Sequence, residues 1–286
     1  MMNKQLLKGD TVALVASSDP LSLSDKPIID SLIKTLTSWG VVTEVSPLLY
    51  KNDLENFIQK AALINQCFAE KRIKAIFDVS GGNMSNSLLP YLDYSLIKSN
   101  PKLFFGYSDL TAVLNAITTR SDLQTGLFQL KTLAWDKSGT QKKLLYNTLF
   151  KGSNDLFDFN YSFIQGHALS GTIIGGNIRC FLKLAGTKYF PNLKNKILFL
   201  ESYSGERNML FSSFHQLSQL PDFFDLAGII LGSFTKYEQI APVGDISNLF
   251  LHSLPNYKAP LIKTNQIGHS KTSKGLLIGS SMYLAQ

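Results

Sequence analysis

A serine on a very short turn between an apolar strand and a helix can do chemistry, and Phe105-Gly106-Tyr107-Ser108-Asp109-Leu110 has that pattern. Such a turn pushes the hydroxyl out beyond the sheet edge, and the first helix amides can stabilise an oxyanion beside it. The same residues also suit plain helix capping, since Ser and Asp are good N-cap types. The closing glycine of the G-x-S-x-G turn is absent, so these six residues alone favour capping. A nucleophilic serine needs a base, and the base needs an orienting group. Among the four histidines, His215 and His252 lie in amphipathic runs as partly buried helix residues, and His167 lies in polar sequence. His269 differs, because it sits in the polar loop Gln266-Ile267-Gly268-His269-Ser270, where a side chain can be aimed at a cleft. Glu201 ends the apolar run Ile197-Leu198-Phe199-Leu200, and a charge there is costly unless it is paired.

Those residues need a scaffold, and the first half of the chain alternates short apolar runs with amphipathic segments. That pattern predicts parallel strands joined by crossover helices. Strands are expected at Thr11–Ala16, Val41–Val45, Ile73–Val79 and Lys102–Gly106, with helices at Ile28–Trp39, Leu54–Glu70 and Leu110–Thr119. From about Leu130 to Gly166 the pattern degrades, with one helical stretch near Leu144–Phe150. Further on, strands are expected at Gly171–Ile174, Ile197–Leu200, Ala227–Leu231, Leu261–Thr264 and Leu276–Ile278, and helices at Ile178–Ala185 and Asn208–Leu217. The expectation is an α/β fold: residues 1–135 as a parallel-sheet, Rossmann-like (flavodoxin-like) domain, 136–166 as linker, and 167–286 as a smaller, β-rich mixed α/β domain. No repeat or low-complexity tract interrupts it.

Composition narrows the function classes. The chain has 286 residues, 44% of them hydrophobic, and no run near the roughly 18 apolar residues of a membrane helix. The polar start and the short apolar stretch Val12–Ala16 do not make a signal peptide, so a cytoplasmic protein is expected. Lys and Arg outnumber Asp and Glu by 28 to 21, a net charge of +7. The positive residues form no stripe, and the densest stretch, Lys131 to Lys151, lacks interleaved aromatics and reads as a solvated face. Neither nucleic acid nor membrane is expected as a partner. Cys67 and Cys180 sit in apolar helical surroundings without ligand spacing, so neither a disulfide nor a metal site is expected.

Gly106-Tyr107-Ser108-Asp109, Ile197-Leu198-Phe199-Leu200-Glu201 and Gly268-His269 occur in the order found in the LD-carboxypeptidase family, the S66 serine peptidases, which this chain resembles nearly throughout. Further blocks are Leu7-Lys8-Gly9-Asp10-Thr11, Ile73-Lys74-Ala75-Ile76 leading to Gly81-Gly82, Leu88 to Tyr94, Asn100-Pro101-Lys102, Gly175-Gly176-Asn177 and Gly228 to Gly232. The resemblance implies a catalytic triad of Ser108, Glu201 and His269 in an interdomain cleft. It implies an oxyanion hole from the backbone of Gly82 and Asp109, and substrate contacts at Gly81 and Asn83. Taken alone, Gly81-Gly82 reads as an ordinary turn and Gly175-Gly176-Asn177 as a helix-start turn.

The implied activity is metal- and cofactor-independent release of D-alanine from murein tetrapeptides by a homodimer. The loop Ser80-Gly81-Gly82-Asn83-Met84-Ser85 is closer to the branch resembling microcin C immunity peptidases, whose substrate is a peptidyl or aminoacyl nucleotide. The block usually following the serine helix stands as Leu127-Phe128-Gln129, and the acidic-Arg pair after the carboxylate reads as replaced near Phe211-Ser212-Ser213. A non-catalytic muropeptide-binding relative is the third reading.

Overall fold

The computed structural model describes residues 5–51 and 56–286. The first apolar runs form a parallel sheet from β1 (Thr11–Val15), β2 (Val42–Val45), β3 (Ile73–Asp78), β4 (Leu103–Gly106) and β5 (Thr125–Leu127). They lie in the order β2-β1-β3-β4-β5, the flavodoxin-like order the sequence led us to expect. β1 is buried at every position because helices cover both faces of the sheet, which is why its sequence is a continuous apolar run.

Helix α1 (Lys26–Ser38) carries Pro27 in its first turn and buries Ile29, Leu32 and Leu36, one stripe at three- and four-residue steps. Helix α2 (Phe57–Ala69) buries Ala61, Ile64 and Phe68 in the same way; its expected start at Leu54 lies outside the described residues. After the short α3 (Tyr94–Ser99), helix α4 (Thr111–Ser121) is buried at every residue from Thr111 to Ile117. A helix buried all round has a neighbour on each face, and here these include both sheets and the helices α3 and α7.

The stretch expected as a linker is structured. It follows the short α5 (Thr132–Trp135) and holds α6 (Thr140–Lys151) and β6 (Ser162–Gln165). Leu145 and Leu149 of α6 pack into the core of the first sheet. Lys137, Lys143 and Lys151 are solvated as expected, but Lys131 and Lys142 are half-buried, and burial pushes the Lys131 amine below its ordinary value.

The second sheet has a parallel centre of β7 (Ala168–Asn177), β8 (Lys196–Ser202), β9 (Gly228–Phe234) and β10 (Leu261–Lys263). Its helices are α7 (Ile178–Leu182), α8 (Arg207–Ser218), α9 (Thr235–Glu238) and α10 (Asp245–Ser253). The strand Leu276–Ile278, β11, was expected with this half but pairs antiparallel to β5 and completes the first sheet. All three of its residues are buried, and the open edge of β5 offers the cover that such a run requires. The chain then returns as β12 (Ser281–Ala285), which with β6 forms the antiparallel edges of the second sheet.

One cluster of buried apolar residues runs through both halves, joining Val113, Leu114 and Ile117 of α4 to Ile173, Phe199 and Ile230 of the second sheet. Cys67 and Cys180 are free and buried, and burial pushes their thiols up to about 11 and about 12. No described helix is long and apolar enough to cross a membrane.

Because β11 links the halves, Ile278→Ala is expected to lower stability by about 2–5 kcal/mol in urea unfolding followed by circular dichroism. A loss below about 1 kcal/mol would mean that the β11 edge is not part of the cooperative core.

Candidate active site

Ser108 lies one residue beyond β4, after Tyr107, at the carboxyl edge of the parallel sheet, where α/β proteins gather their functional loops. Its φ is +55°, an uncommon backbone conformation for a residue with a side chain. The capping reading fails, because the residue preceding the first helical turn is Tyr107, with no side-chain cap, and Asp109 turns away to other partners. Ser108 Oγ lies 3.0 Å from His269 Nε2, and His269 Nδ1 lies 2.7 Å from Glu201 Oε2. An ionised carboxylate only accepts, so the imidazole proton belongs on Nδ1 and Nε2 is left to accept the Ser108 proton. The three residues that sequence order brought together are thus in one hydrogen-bonded line, with Glu201 fully buried beneath it.

Glu201 is held from two further sides. Asn177 Nδ2 donates to Oε1 at 3.0 Å, and the buried Tyr107 hydroxyl donates to Oε2 at 3.4 Å. The Tyr107 ring packs edge-on against His269 with centroids 4.7 Å apart, and Tyr203 closes another side of the imidazole at 5.1 Å. Burial, and then the Glu201 charge, raise the Tyr107 phenol well above its ordinary value, so it stays protonated and remains a donor.

Asn177 also caps α7 by accepting from the Cys180 amide, so the helix-start reading of Gly175-Gly176-Asn177 describes half of its role. The other half needed the tertiary structure: the Asn177 amide donates to Thr111 Oγ1 of α4, and Asn115 of α4 bonds both the N–H and the carbonyl of Gly175. Gly176, at φ +140°, passes so close to Thr111 that a Cβ would collide with it.

Gly82 has φ +127°, and a Cβ there would run into Asp19, whereas one on Gly81 would meet open space. The Gly81 carbonyl accepts from the Asp19 amide, the Asn83 amide donates to Asp19 Oδ1, and Arg179 donates to both the Gly82 carbonyl and Asn83 Oδ1. The amides of Gly82 and Asp109 have no acceptor among the described residues. A second buried carboxylate, Asp78, accepts from Ser17 and Ser80, and burial pushes it up.

The other histidines are elsewhere. His215 packs at a tilt against Phe211 in α8, while His167 is exposed, as is His252, which the sequence reading expected to be partly buried. α8, in which the acidic-Arg pair was expected to be replaced, opens at Arg207, which bonds to Asp245 and to the Tyr237 hydroxyl. Sequence reading also missed the contacts of Tyr107, Asn177, Arg179 and Lys183 with this site; the spacing of Arg179 and Lys183, four apart after a helix start, was the available signal.

Two family descriptions match the chain in sequence order. Residues 12–127 match the LD-carboxypeptidase N-terminal domain and residues 170–284 the LD-carboxypeptidase C-terminal domain, both of peptidase family S66. The chain belongs to the LD-carboxypeptidase family. A putative carboxypeptidase of Treponema pallidum is 31% identical over 270 residues, covering 82% of this chain and 78% of the relative. A probable murein peptide carboxypeptidase of Bacillus subtilis is 27% identical, covering 97% of this chain and 89% of that one. Among solved structures, an MccF-like protein from Bacillus anthracis superposes with a TM-score of 0.86 at 29% identity, over 100% of this chain and 96% of the other.

In this member of the family, Asn177→Ala removes a donor from a buried carboxylate together with a helix cap. We expect a stability loss of about 2–4 kcal/mol by chemical denaturation. A change under about 0.5 kcal/mol would contradict the account of how Glu201 is held.

Proposed function

We propose that the protein is a serine carboxypeptidase that hydrolyses an L,D-peptide bond and releases terminal D-alanine from murein tetrapeptides. The observation that carries this reading is the line from Ser108 Oγ through His269 to buried Glu201, with spacings of 3.0 and 2.7 Å. The family membership and the likeness to a probable murein peptide carboxypeptidase support it.

In this mechanism Ser108 Oγ attacks the carbonyl carbon before the terminal residue as His269 Nε2 takes its proton. Glu201 holds the imidazole in the right tautomer and stabilises the imidazolium. The oxyanion accepts from the free amides of Gly82 and Asp109, donors whose removal typically costs about 3–4 kcal/mol of transition-state stabilisation. The carbon–nitrogen bond then breaks, the imidazolium returns its proton to the leaving amine, and D-alanine departs from an acyl-serine. Water, giving its proton to His269, hydrolyses the ester and regenerates Ser108. These steps call on neither metal nor cofactor. Gly81 and Asn83 border the acyl site, and the substrate is a small peptide rather than nucleic acid or a membrane. The reading includes a cytoplasmic homodimer.

Wild type and Ser108→Ala are to be incubated with a tetrapeptide ending in L-lysyl-D-alanine, with chelator present, and the tripeptide and free D-alanine followed by mass spectrometry. Wild type is expected to release D-alanine, and Ser108→Ala to lose about four to six orders of magnitude in kcat. Equal turnover by both would sink the mechanism. Turnover of a peptidyl-nucleotide analogue alone would keep the mechanism and replace the substrate, an outcome in line with the likeness to an MccF-like protein.

A further inference from the structure

Asp109 follows Ser108 in the chain, and its side chain is fully buried. Its Oδ2 accepts from the Ser18 hydroxyl at 2.7 Å and the Ser85 amide at 2.8 Å, and its carbonyl accepts from the Ser85 hydroxyl at 2.6 Å. The remaining oxygen, Oδ1, meets a cation from the other half of the molecule: Lys183 Nζ, at the carboxyl end of α7, lies 2.6 Å away. The same ammonium donates to the Asn83 carbonyl at 2.8 Å. One carboxylate and one lysine therefore tie together the loops after β1 and β3, the Ser108 turn and the second sheet's first helix.

The tie has a mechanical consequence. A residue at φ +55° relaxes unless its surroundings hold it, and the anchor nearest to Ser108 is the Asp109 side chain. A buried carboxylate deprived of its cation becomes an uncompensated charge and seeks water or a proton. Either response shifts the turn that carries Ser108.

We propose that Lys183 is a positioning residue for the nucleophile: by neutralising Asp109 and gripping the Asn83 carbonyl, it holds the Ser108 turn and the 81–83 loop in register across the two sheets. This rests on the reading of Ser108 as nucleophile but on no choice of substrate. The charged and titratable groups around Asp109 are few. Lys183 and the Cys180 thiol face it from α7, whose Arg179 is directed to Asn83. Lys60 of α2 reaches the Ser18 carbonyl, Asp19 binds the Asn83 amide, and His269 lies beyond Ser108. Burial pushes the Asp109 carboxyl up, but the bonds from Lys183, Ser18 and Ser85 and the Lys183 charge outweigh it and hold the group below the ordinary carboxylate range. The stabilisation is therefore complete above that range and lost as pH falls through the lowered value. Without the cation, burial dominates and the loss occurs at higher pH.

The test uses a fluorophosphonate, whose phosphorus is attacked by Ser108 Oγ with expulsion of fluoride while the proton passes to His269. The phosphonylation rate is measured against pH for wild type, Lys183→Met, Asp109→Asn and the double variant, with Ser108→Ala as blank. Labelling of wild type but not of the blank upholds the nucleophile; equal behaviour of the two would overturn that reading separately. For Lys183→Met we expect labelling about 10–100-fold slower at neutral pH and an acid limb moved up by about one pH unit or more. The double variant, with no charge left to bury, is expected to label faster than Lys183→Met. A folded Lys183→Met with the wild-type rate and pH profile would overturn the proposal, as would strictly additive effects in the double variant. If Lys183→Met does not fold, Lys183→Gln, which keeps donors for both acceptors but no charge, carries the same comparison.

Discussion

Glu201 is a carboxylate with no exposure to solvent, and much of the structure can be understood from what its burial demands. A charge in that position is tolerated only if its oxygens are bonded and an opposite charge or a strong donor stands against it. The His269 imidazole supplies the nearest donor at 2.7 Å, Asn177 the second at 3.0 Å, and the Tyr107 hydroxyl a longer third. These partners come from the second sheet's polar loop, from the end of β7 and from the turn after β4. Satisfying one carboxylate thus requires both sheets to be in place.

The geometry of that closure explains several otherwise unrelated residue choices. β7 must approach α4 closely enough for Asn177 to reach both Thr111 and Glu201, and glycine at 176 removes the Cβ that would prevent it. Asn115 pairs with both polar groups of Gly175, so the backbone there loses no hydrogen bonds on being pressed against a helix. α4 is consequently buried at every residue from Thr111 to Ile117, and the shared cluster of Val113, Leu114, Ile117, Ile173 and Phe199 makes the junction a core rather than a wet interface. β11 adds a second seam by closing the first sheet with residues from near the chain's end.

Two buried carboxylates next to the site behave differently, and the difference lies in their partners. Asp78 is held by hydroxyl and amide donors of the Ser17 and Ser80 loops, and burial raises it. Asp109 has similar neutral donors plus Lys183, and is lowered. Both brace loops at the carboxyl edge of the first sheet, one beside β1 and β3 and the other beside the Ser108 turn. The loop edge where an α/β fold places its chemistry is here stiffened by side-chain bonds to backbone, since the strands' own ladder ends below it.

Local pattern was enough to determine the parallel sheet, the helices with a single apolar stripe and the placing of Ser108 just past a strand, because periodicity and burial on one or two faces are properties of neighbouring residues. Residue types in order, set beside a family resemblance, also singled out Ser108, Glu201 and His269. What remained hidden depends on partners far apart in the chain. Residues 136–166 read as a linker with one helical stretch near Leu144–Phe150 until the first core took up Leu145 and Leu149, and 276–278 could not be assigned to a sheet without knowing which edge lay open. Lys183 reads as an ordinary helical lysine, and only the fold brings it to Asp109, 74 residues away. A charge's role is set by the dielectric and the countercharge around it, and those are made by the tertiary structure alone.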